Sequence, residues 1–268
     1  MASVEEGRSD LDSMTPPPRI EIDEALRNGW FEMWYQPKID LKRKCLAGVG
    51  ALARIRHPRF GVLPPSNFLP GVHDSISQLA EHALIAALHN WTKFDEAGFN
   101  LHLAVNVPAS VLVTLPILAL VERHRPRSDR WPGIIVEVTE DQIVREVQRV
   151  QAIAQQLHGS GIKIAIDDFG AGYSSFSTLR EIPFIEIKLD SSFVKNCALD
   201  ATNAAICQTA VDLAYRFGSA AVAEGIESAA DLQALMIMGC DFGQGALIAP
   251  PMPQERFLEL LRQRASAA

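Results

Sequence analysis

The fold is decided by residues 162–170, IKIAIDDFG, together with four similar runs elsewhere in the chain. Each run is apolar along most of its length and carries a polar or charged residue near its carboxyl end. The other four runs are LHLAVNV (101–107), IIVEVTE (134–140), FIEIKLD (184–190) and SAAVAEGIE (219–227). Short apolar runs rich in Val and Ile predict buried strands. The residues at their ends are Asn106, Glu137, Asp167 with Asp168, Lys188 and Glu224. Acid that recurs at strand ends predicts a shared cation site.

Amphipathic stretches predicted to be helices alternate with these strands. They cover residues 74–97, 109–124, 142–159, 174–181, 200–217, 229–238 and 253–265. Three more strand candidates complete the pattern: FEMWYQP (31–37), LAGVGALARI (46–55) and CDFGQGALIA (240–249). Repeated alternation of strand and helix indicates a parallel sheet covered by helices. Eight strands after an opening helix favour an α/β fold, a modified (β/α)8 TIM-type barrel.

One strand pair near the N-terminus is predicted to be antiparallel. The connection between FEMWYQP and LAGVGALARI is too short to contain a crossover helix. An open flavodoxin-like sheet is the alternative fold, but it normally has fewer strands and a Gly-rich phosphate loop after the first, which this sequence lacks. In FIEIKLD apolar and polar residues alternate, so we expect the apolar ones to face the helices and the polar ones the barrel lumen.

Length and composition limit the classes of function. The chain has 268 residues, within the range of a single closed α/β barrel, and its net charge of −7 argues against binding a nucleic acid polymer or an anionic membrane. Four cysteines without a CxxC pair, no recognisable signal peptide and no apolar segment of spanning length favour a cytoplasmic protein. Residues 1–19 are acidic, Ser-rich and Pro-containing, which predicts a disordered leader or linker before a domain at 20–268.

The residues at the strand ends have the chemistry of a hard-cation site. In a (β/α)8 barrel the carboxyl ends of the strands form the active face. Carboxylates and an Asn amide, without His or Cys at ligand spacing, favour Mg²⁺ or Mn²⁺ over Zn²⁺. Two such cations, roughly 3.5–4 Å apart, activate water in phosphodiester hydrolysis. Asp167 and Asp168 are adjacent, so one of them must reach the site from the start of a loop.

Each of these residues also has a purely structural explanation. Glu137 or Lys188 alone would more often be half of an ion pair, and Asp167 alone could cap a helix or form a turn. The structural explanation is the better one for any single residue. The functional explanation is better for the group, because a barrel lumen has few other uses for so many carboxylates.

The order of motifs resembles the EAL-domain family, the bacterial cyclic di-GMP phosphodiesterases. The series is YQP (35–37), ALAR (51–54), VNV (105–107), VEVTE (136–140), IDDFGAGYSS (166–175), KLD (188–190), AEGIE (223–227) and QG (244–245). The resemblance extends from about residue 20 over nearly the whole chain. It implies cyclic di-GMP as the ligand and two Mg²⁺ or Mn²⁺ ions as cofactors. It also implies a homodimer, and a protein partner is a further expectation.

The resemblance also implies residue roles. The implied metal ligands are Asn106, Glu137, Asp167, Asp168 and Glu224. Lys188 would hold the attacking water, with Glu224 beside it in the catalytic group. Glu140 would support the loop at 169–175. Residues implied to contact the ligand or order the site are Gln36, Arg54, Glu227 and Gln244.

The chain departs from the family at a position implied to be a metal ligand. The Glu-Ala-Leu segment that names the family reads Gly50-Ala51-Leu52 here. Gly50 keeps the strand parity of Leu52 and Arg54, so the register is intact while the carboxylate is absent. Three hypotheses follow: a domain that binds cyclic di-GMP with impaired or absent hydrolysis, which we prefer; an active phosphodiesterase producing pGpG; and a catalytically inert protein-interaction scaffold.

Overall fold

The computed structural model describes residues 19–69, 75–171 and 179–266. Its strands are β1 Phe31–Asp40, β2 Cys45–His57, β3 Gly61–Leu63, β4 Leu103–Asn106, β5 Ile134–Thr139, β6 Ile162–Phe169, β7 Glu186–Leu189, β8 Ala220–Ala223, β9 Phe242–Gly243 and β10 Met252–Pro253. The helices in these ranges are α1 Ile22–Arg27, α2 Ile76–Glu96, α3 Ala109–Leu112, α4 Ile117–His124, α5 Glu140–Arg145, α6 Val147–Leu157, α7 Ser191–Val194, α8 Ala201–Arg216, α9 Ala229–Met238 and α10 Gln254–Ser266.

The sheet closes on itself through β1, which confirms the predicted barrel. Strand β2 and strands β4 to β9 pair in parallel in the order β2-β4-β5-β6-β7-β8-β9. Strand β1 is antiparallel to both β2 and β9 and joins them. The predicted antiparallel pair of β1 and β2 is therefore present. Strands β3 and β10 were not predicted; they have three and two residues and lie outside the barrel wall.

In β7 apolar residues pack outward and polar ones inward, as the alternation predicts. Ile187 and Leu189 of β7 belong to the large core between the barrel and its helices. Glu186 of the same strand points into the lumen and accepts hydrogen bonds of 2.5 and 2.7 Å from Lys38 of β1. Strands β1 and β7 are not neighbours, so this buried ion pair crosses the lumen. Ala165 and two neighbouring small or apolar side chains fill another part of the lumen.

Two predicted helices are each divided in the structure. The helix expected over 109–124 is broken between α3 and α4, where Pro116 cannot donate a backbone hydrogen bond and disfavours helical geometry in the residue before it. The helix expected over 142–159 is α5 and α6, divided at Glu146. The short helix expected over 174–181 falls mostly outside the described residues, as does nearly all of the predicted leader at 1–19.

The last predicted strand is much shorter than expected. Only Phe242–Gly243 of CDFGQGALIA pairs in the sheet. The chain then turns against the segment after β8, where the N–H of Ile226 donates to the carbonyl oxygen of Gln244 at 3.1 Å. A Cβ at Gly245 would lie 2.2 Å from the backbone N of Ile226, so a glycine is required there. This contact fixes Gln244 at the carboxyl end of the barrel. Within the three described ranges, no helix has the length and apolar character needed to cross a bilayer.

We expect Ser228→Ala to lower the free energy of unfolding by about 1 kcal/mol. Ser228 caps α9, accepting from the N–H of Asp231 at 3.1 Å and donating to its carboxylate at 2.6 Å. Chemical denaturation followed by circular dichroism measures the loss, and Ser110→Ala, at an exposed serine, is the control. Equal stability of the two variants would contradict the capping role.

Candidate active site

Lys188 lies at the centre of a ring of carboxylates at the carboxyl ends of the strands. Its Nζ is 2.8 Å from Glu137 Oε1, 3.1 Å from Asp167 Oδ1 and 2.7 Å from Glu224 Oε1. These partners come from β5, from β6 and from the residue after β8, so the side chains meet inside the lumen. Burial opposes the charge of Lys188, but Glu137, Glu224 and Asp167 hold its pKa well above the usual value. The lysine is therefore a fixed cation.

A bulge at the end of β6 turns two adjacent aspartates toward one site. The pairing of β6 with β7 shifts register between Ile166 and Phe169. Asp168 adopts a left-handed backbone conformation with φ of 51° and donates its N–H to Asp167 Oδ1 at 3.1 Å. The expectation that one aspartate reaches the site from the start of the loop agrees with this geometry. Such bulges commonly reorient side chains beside active sites.

The carboxylates exceed the positive charge available to them. One oxygen from each of Asp167, Asp168 and Glu224 lies within 4.8 Å of the others. Burial, reinforced by Asp167 and Glu137 against the opposing charge of Lys188, raises the pKa of Glu224 to about 7. Partial burial, with Asp167 and then Asp190, raises the pKa of Asp168 to about 6. Burial also raises the pKa of Glu137, against the charge of Lys188. A divalent cation would relieve this excess of negative charge, so the donor set fits one.

Asn106 and Glu140 adjoin this cluster from two sides. Asn106 Nδ2 donates to Glu137 Oε2 at 3.3 Å, so the amide and the carboxylate stand side by side at the ends of β4 and β5. Glu140, buried at the start of α5, accepts the N–H of Gly170 at 2.9 Å through Oε2. The carboxylate thereby holds the first residues after β6. Loop residues 172–178 lie outside the described part of the chain.

Gln36 and Gln244 form the opposite wall of the site. Gln244 Nε2 donates to Gln36 Oε1 at 2.9 Å, and Gln36 Nε2 donates to the carbonyl oxygen of Ala249 at 3.1 Å. Both glutamines line the same cleft as Gly50. The structure thus brings these two predicted site residues to the wall of the cleft that contains Gly50.

Two predicted site residues stand apart from the carboxylate cluster. Arg54 donates to the carbonyl oxygen of Ala53 at 2.8 Å and lies 5.8 Å from the centroid of the Trp34 ring. Burial lowers the pKa of Arg54. Glu227 lines the cleft but is largely exposed and pairs with Lys195 at 3.3 Å.

The cleft over the carboxylates has a volume of about 320 Å³. The cleft is also lined by Ser191, Gly225 and Leu52, which were not predicted as site residues. Gly225 directly follows Glu224, and Ser191 directly follows the strand run FIEIKLD. These positions in the sequence could have indicated that both residues lie at the site. A second cavity of about 290 Å³, mainly apolar, shares Leu52, Asn106 and Glu137 with the cleft. Polar and apolar compartments therefore adjoin at these residues.

Fold and site together define a class: an α/β barrel, closed by an antiparallel first strand, with carboxylates gathered around one lysine at its active face. The family model described as EAL domain matches residues 19–251. The chain belongs to the EAL domain family.

Several proteins similar to this chain carry cyclic di-GMP phosphodiesterase in their names. "Cyclic di-GMP phosphodiesterase RocR" of Pseudomonas aeruginosa is 35% identical over 250 residues, which cover 91% of this chain and 63% of RocR. "Bifunctional diguanylate cyclase/cyclic di-GMP phosphodiesterase MucR" of the same species is 34% identical over 244 residues, covering 89% of this chain and 35% of MucR. The chain thus spans less than two thirds of these relatives. A solved structure described as "PaMucR Phosphodiesterase, c-di-GMP complex" has a TM-score of 0.80 and 32% identity, covering 88% of this chain and 97% of that one.

Proposed function

We propose that this domain binds cyclic di-GMP in the cleft and hydrolyses it weakly or not at all. The observation that carries the proposal is the wall at Gly50, where a neutral amide from Gln244 stands and no carboxylate is present. Ligand binding is supported by the similar structure with bound cyclic di-GMP. The cleft also has the charged and polar lining that a dinucleotide with bridging phosphates requires once cations are bound.

Mg²⁺ or Mn²⁺ is the proposed cofactor, because every donor is an oxygen atom. The residues that would hold it are Asn106, Glu137, Asp167, Asp168 and Glu224. A pair of such cations, when bound, supplies an activated water and stabilises the leaving oxygen of a phosphodiester. Lys188, held by three carboxylates, would orient that water and offset charge as it develops. Glu140 would keep the chain after Asp168 in place through Gly170.

The absent carboxylate at position 50 lowers metal affinity. Losing a partner outside the direct ligand set typically costs about 10–100-fold in affinity or activity, and losing a direct ligand costs at least as much, roughly 1.4–2.7 kcal/mol. Turnover that needs two cations falls with the occupancy of the weaker one. Binding of the nucleotide depends less on this carboxylate, since Arg54, Glu227 and the glutamines are present to contact it.

An active phosphodiesterase producing pGpG is the second candidate. The observation in its favour is that three predicted metal ligands contact Lys188 and the other two lie beside them. A catalytically inert scaffold is the third, and it would pair with itself or with another protein. Leu199, before the start of α8, and Tyr215, near its end, are 86% and 85% exposed, and each is a candidate contact for such a homodimer or protein partner.

Calorimetry with cyclic di-GMP in calcium buffer is expected to detect binding by the native chain. Ca²⁺ is used to fill the cation site while suppressing hydrolysis, so the heat reports affinity alone. We expect Arg54→Ala to weaken binding about 10–100-fold, because a hydrogen bond to a charged group contributes about 1.5–3 kcal/mol. Arg43→Ala, at an exposed arginine in the turn after β1, is the matched control. If the native chain does not bind cyclic di-GMP, the scaffold hypothesis is favoured. If the two variants bind cyclic di-GMP with equal affinity, Arg54 does not contact it.

A further inference from the structure

The space beside Gly50 is occupied by the end of another side chain. A Cβ built on Gly50 would lie 2.7 Å from Nε2 and 3.5 Å from Oε1 of Gln244. The first distance is shorter than real Cβ contacts, so the amide as it stands is compatible only with glycine at position 50. Position 50 therefore carries no carboxylate, and the amide of Gln244 occupies the space where a side chain at position 50 would begin.

Hydrogen bonds determine which end of this amide is free. Ala249 accepts from Gln36 Nε2, which leaves Gln36 Oε1 to accept from Gln244 Nε2. An amide oriented in this way has its oxygen, Oε1, unused by that chain of bonds. Within the described ranges no hydrogen bond reaches Gln244 Oε1, although Gln244 lines the cleft with Glu137, Asp167 and Glu224.

The backbone of Gln244 is held on both sides. Its N–H donates to the carbonyl oxygen of Ala223 at 2.9 Å, and its carbonyl oxygen accepts from Ile226 at 3.1 Å. Gly245 packs directly against the backbone of Ile226. The segment that holds Gln244 is therefore the one that contains Glu224, and the backbone positions of the two residues are fixed relative to each other.

We propose that Gln244 is a compensating oxygen donor, which offers Oε1 to the divalent cation in place of the side chain missing at position 50. Gly50 is then the residue that makes room for this donor. The inference rests on the proposed function, in which the cleft binds a divalent cation. A neutral amide oxygen is a weaker ligand than a carboxylate, so this substitution retains a cation while lowering its affinity.

The test is the dissociation constant for Mn²⁺ alone, measured by the paramagnetic resonance signal of the free ion in titrations of the full chain. Gln244→Leu is expected to weaken Mn²⁺ binding about tenfold or more. Gly50→Ala is expected to weaken it as well, because the added Cβ displaces the amide without supplying a ligand. Gln244→Glu, which keeps the shape and adds charge, is expected to tighten it. Gln233→Leu, at an exposed glutamine on α9, is the control.

Several results would overturn the inference without touching nucleotide binding. If Gln244→Leu and Gly50→Ala are both folded by circular dichroism and bind Mn²⁺ as tightly as the native chain, the amide is not a ligand. A native chain that binds cyclic di-GMP but no Mn²⁺ would show the same. If the native chain does not bind cyclic di-GMP but binds Mn²⁺ in a way that depends on Gln244, the proposed function is wrong and the inference holds.

Discussion

Gly50→Glu is expected to raise hydrolysis of cyclic di-GMP at millimolar Mg²⁺ by at least about tenfold over the native chain. The new carboxylate would enter the wall of the cleft that Gln244 now occupies, and the amide would rotate away from Gln36 to admit it. Only the far end of a flexible side chain has to move, so the fold accommodates the change. Formation of pGpG, separated by chromatography and followed in Mg²⁺ and then Mn²⁺, measures the gain.

Gly50→Gln is the control for this restoration. The glutamine side chain has nearly the same size as glutamate and displaces Gln244 equally, but it adds no charge. We therefore expect Gly50→Gln to hydrolyse cyclic di-GMP no faster than the native chain. A gain with glutamate alone assigns the defect to one missing carboxylate. No gain with either variant would mean that other parts of the site have also lost function, and high native turnover would favour the active phosphodiesterase.

Lys188→Met is expected to lower the free energy of unfolding by about 3–5 kcal/mol in metal-free buffer. The lysine is buried and contacts three carboxylates, so its removal leaves their negative charge without a partner. Because a divalent cation can take over part of this role, Mn²⁺ should return some of the lost stability, and more in the variant than in the native chain. Denaturant unfolding with chelator and with Mn²⁺ measures both effects.

Lys195→Met provides the matched control. Lys195 is mostly exposed and pairs with Glu227 at the surface, where an ion pair contributes at most about 1 kcal/mol. We expect little change in the free energy of unfolding and the same response to Mn²⁺ as in the native chain, because the carboxylate cluster around Lys188 is intact. If Lys188→Met lowers the free energy of unfolding by less than about 1 kcal/mol, Lys188 does not stabilise the fold by balancing the carboxylates. If both variants respond equally to Mn²⁺, the cation binds away from Lys188.

The sequence by itself determined the barrel and the set of residues at its rim. Strand alternation in 184–190 correctly predicted which side chains face the lumen, and the short connection between 31–37 and 46–55 correctly predicted an antiparallel pair. These features follow from local rules, because strand periodicity and loop length are written in consecutive residues. The glycine at position 50, at which the family resemblance implied a glutamate, is likewise visible in the sequence alone.

Only the tertiary structure decided how those residues meet. Lys188 contacts carboxylates from three other strands or their ends, and the Lys38–Glu186 pair crosses the lumen between strands that are not neighbours. The amide of Gln244 fills the space at Gly50, although the two residues are 194 positions apart in the sequence. Contacts of this kind depend on barrel closure, register and the shape of the lumen. No run of consecutive residues encodes them.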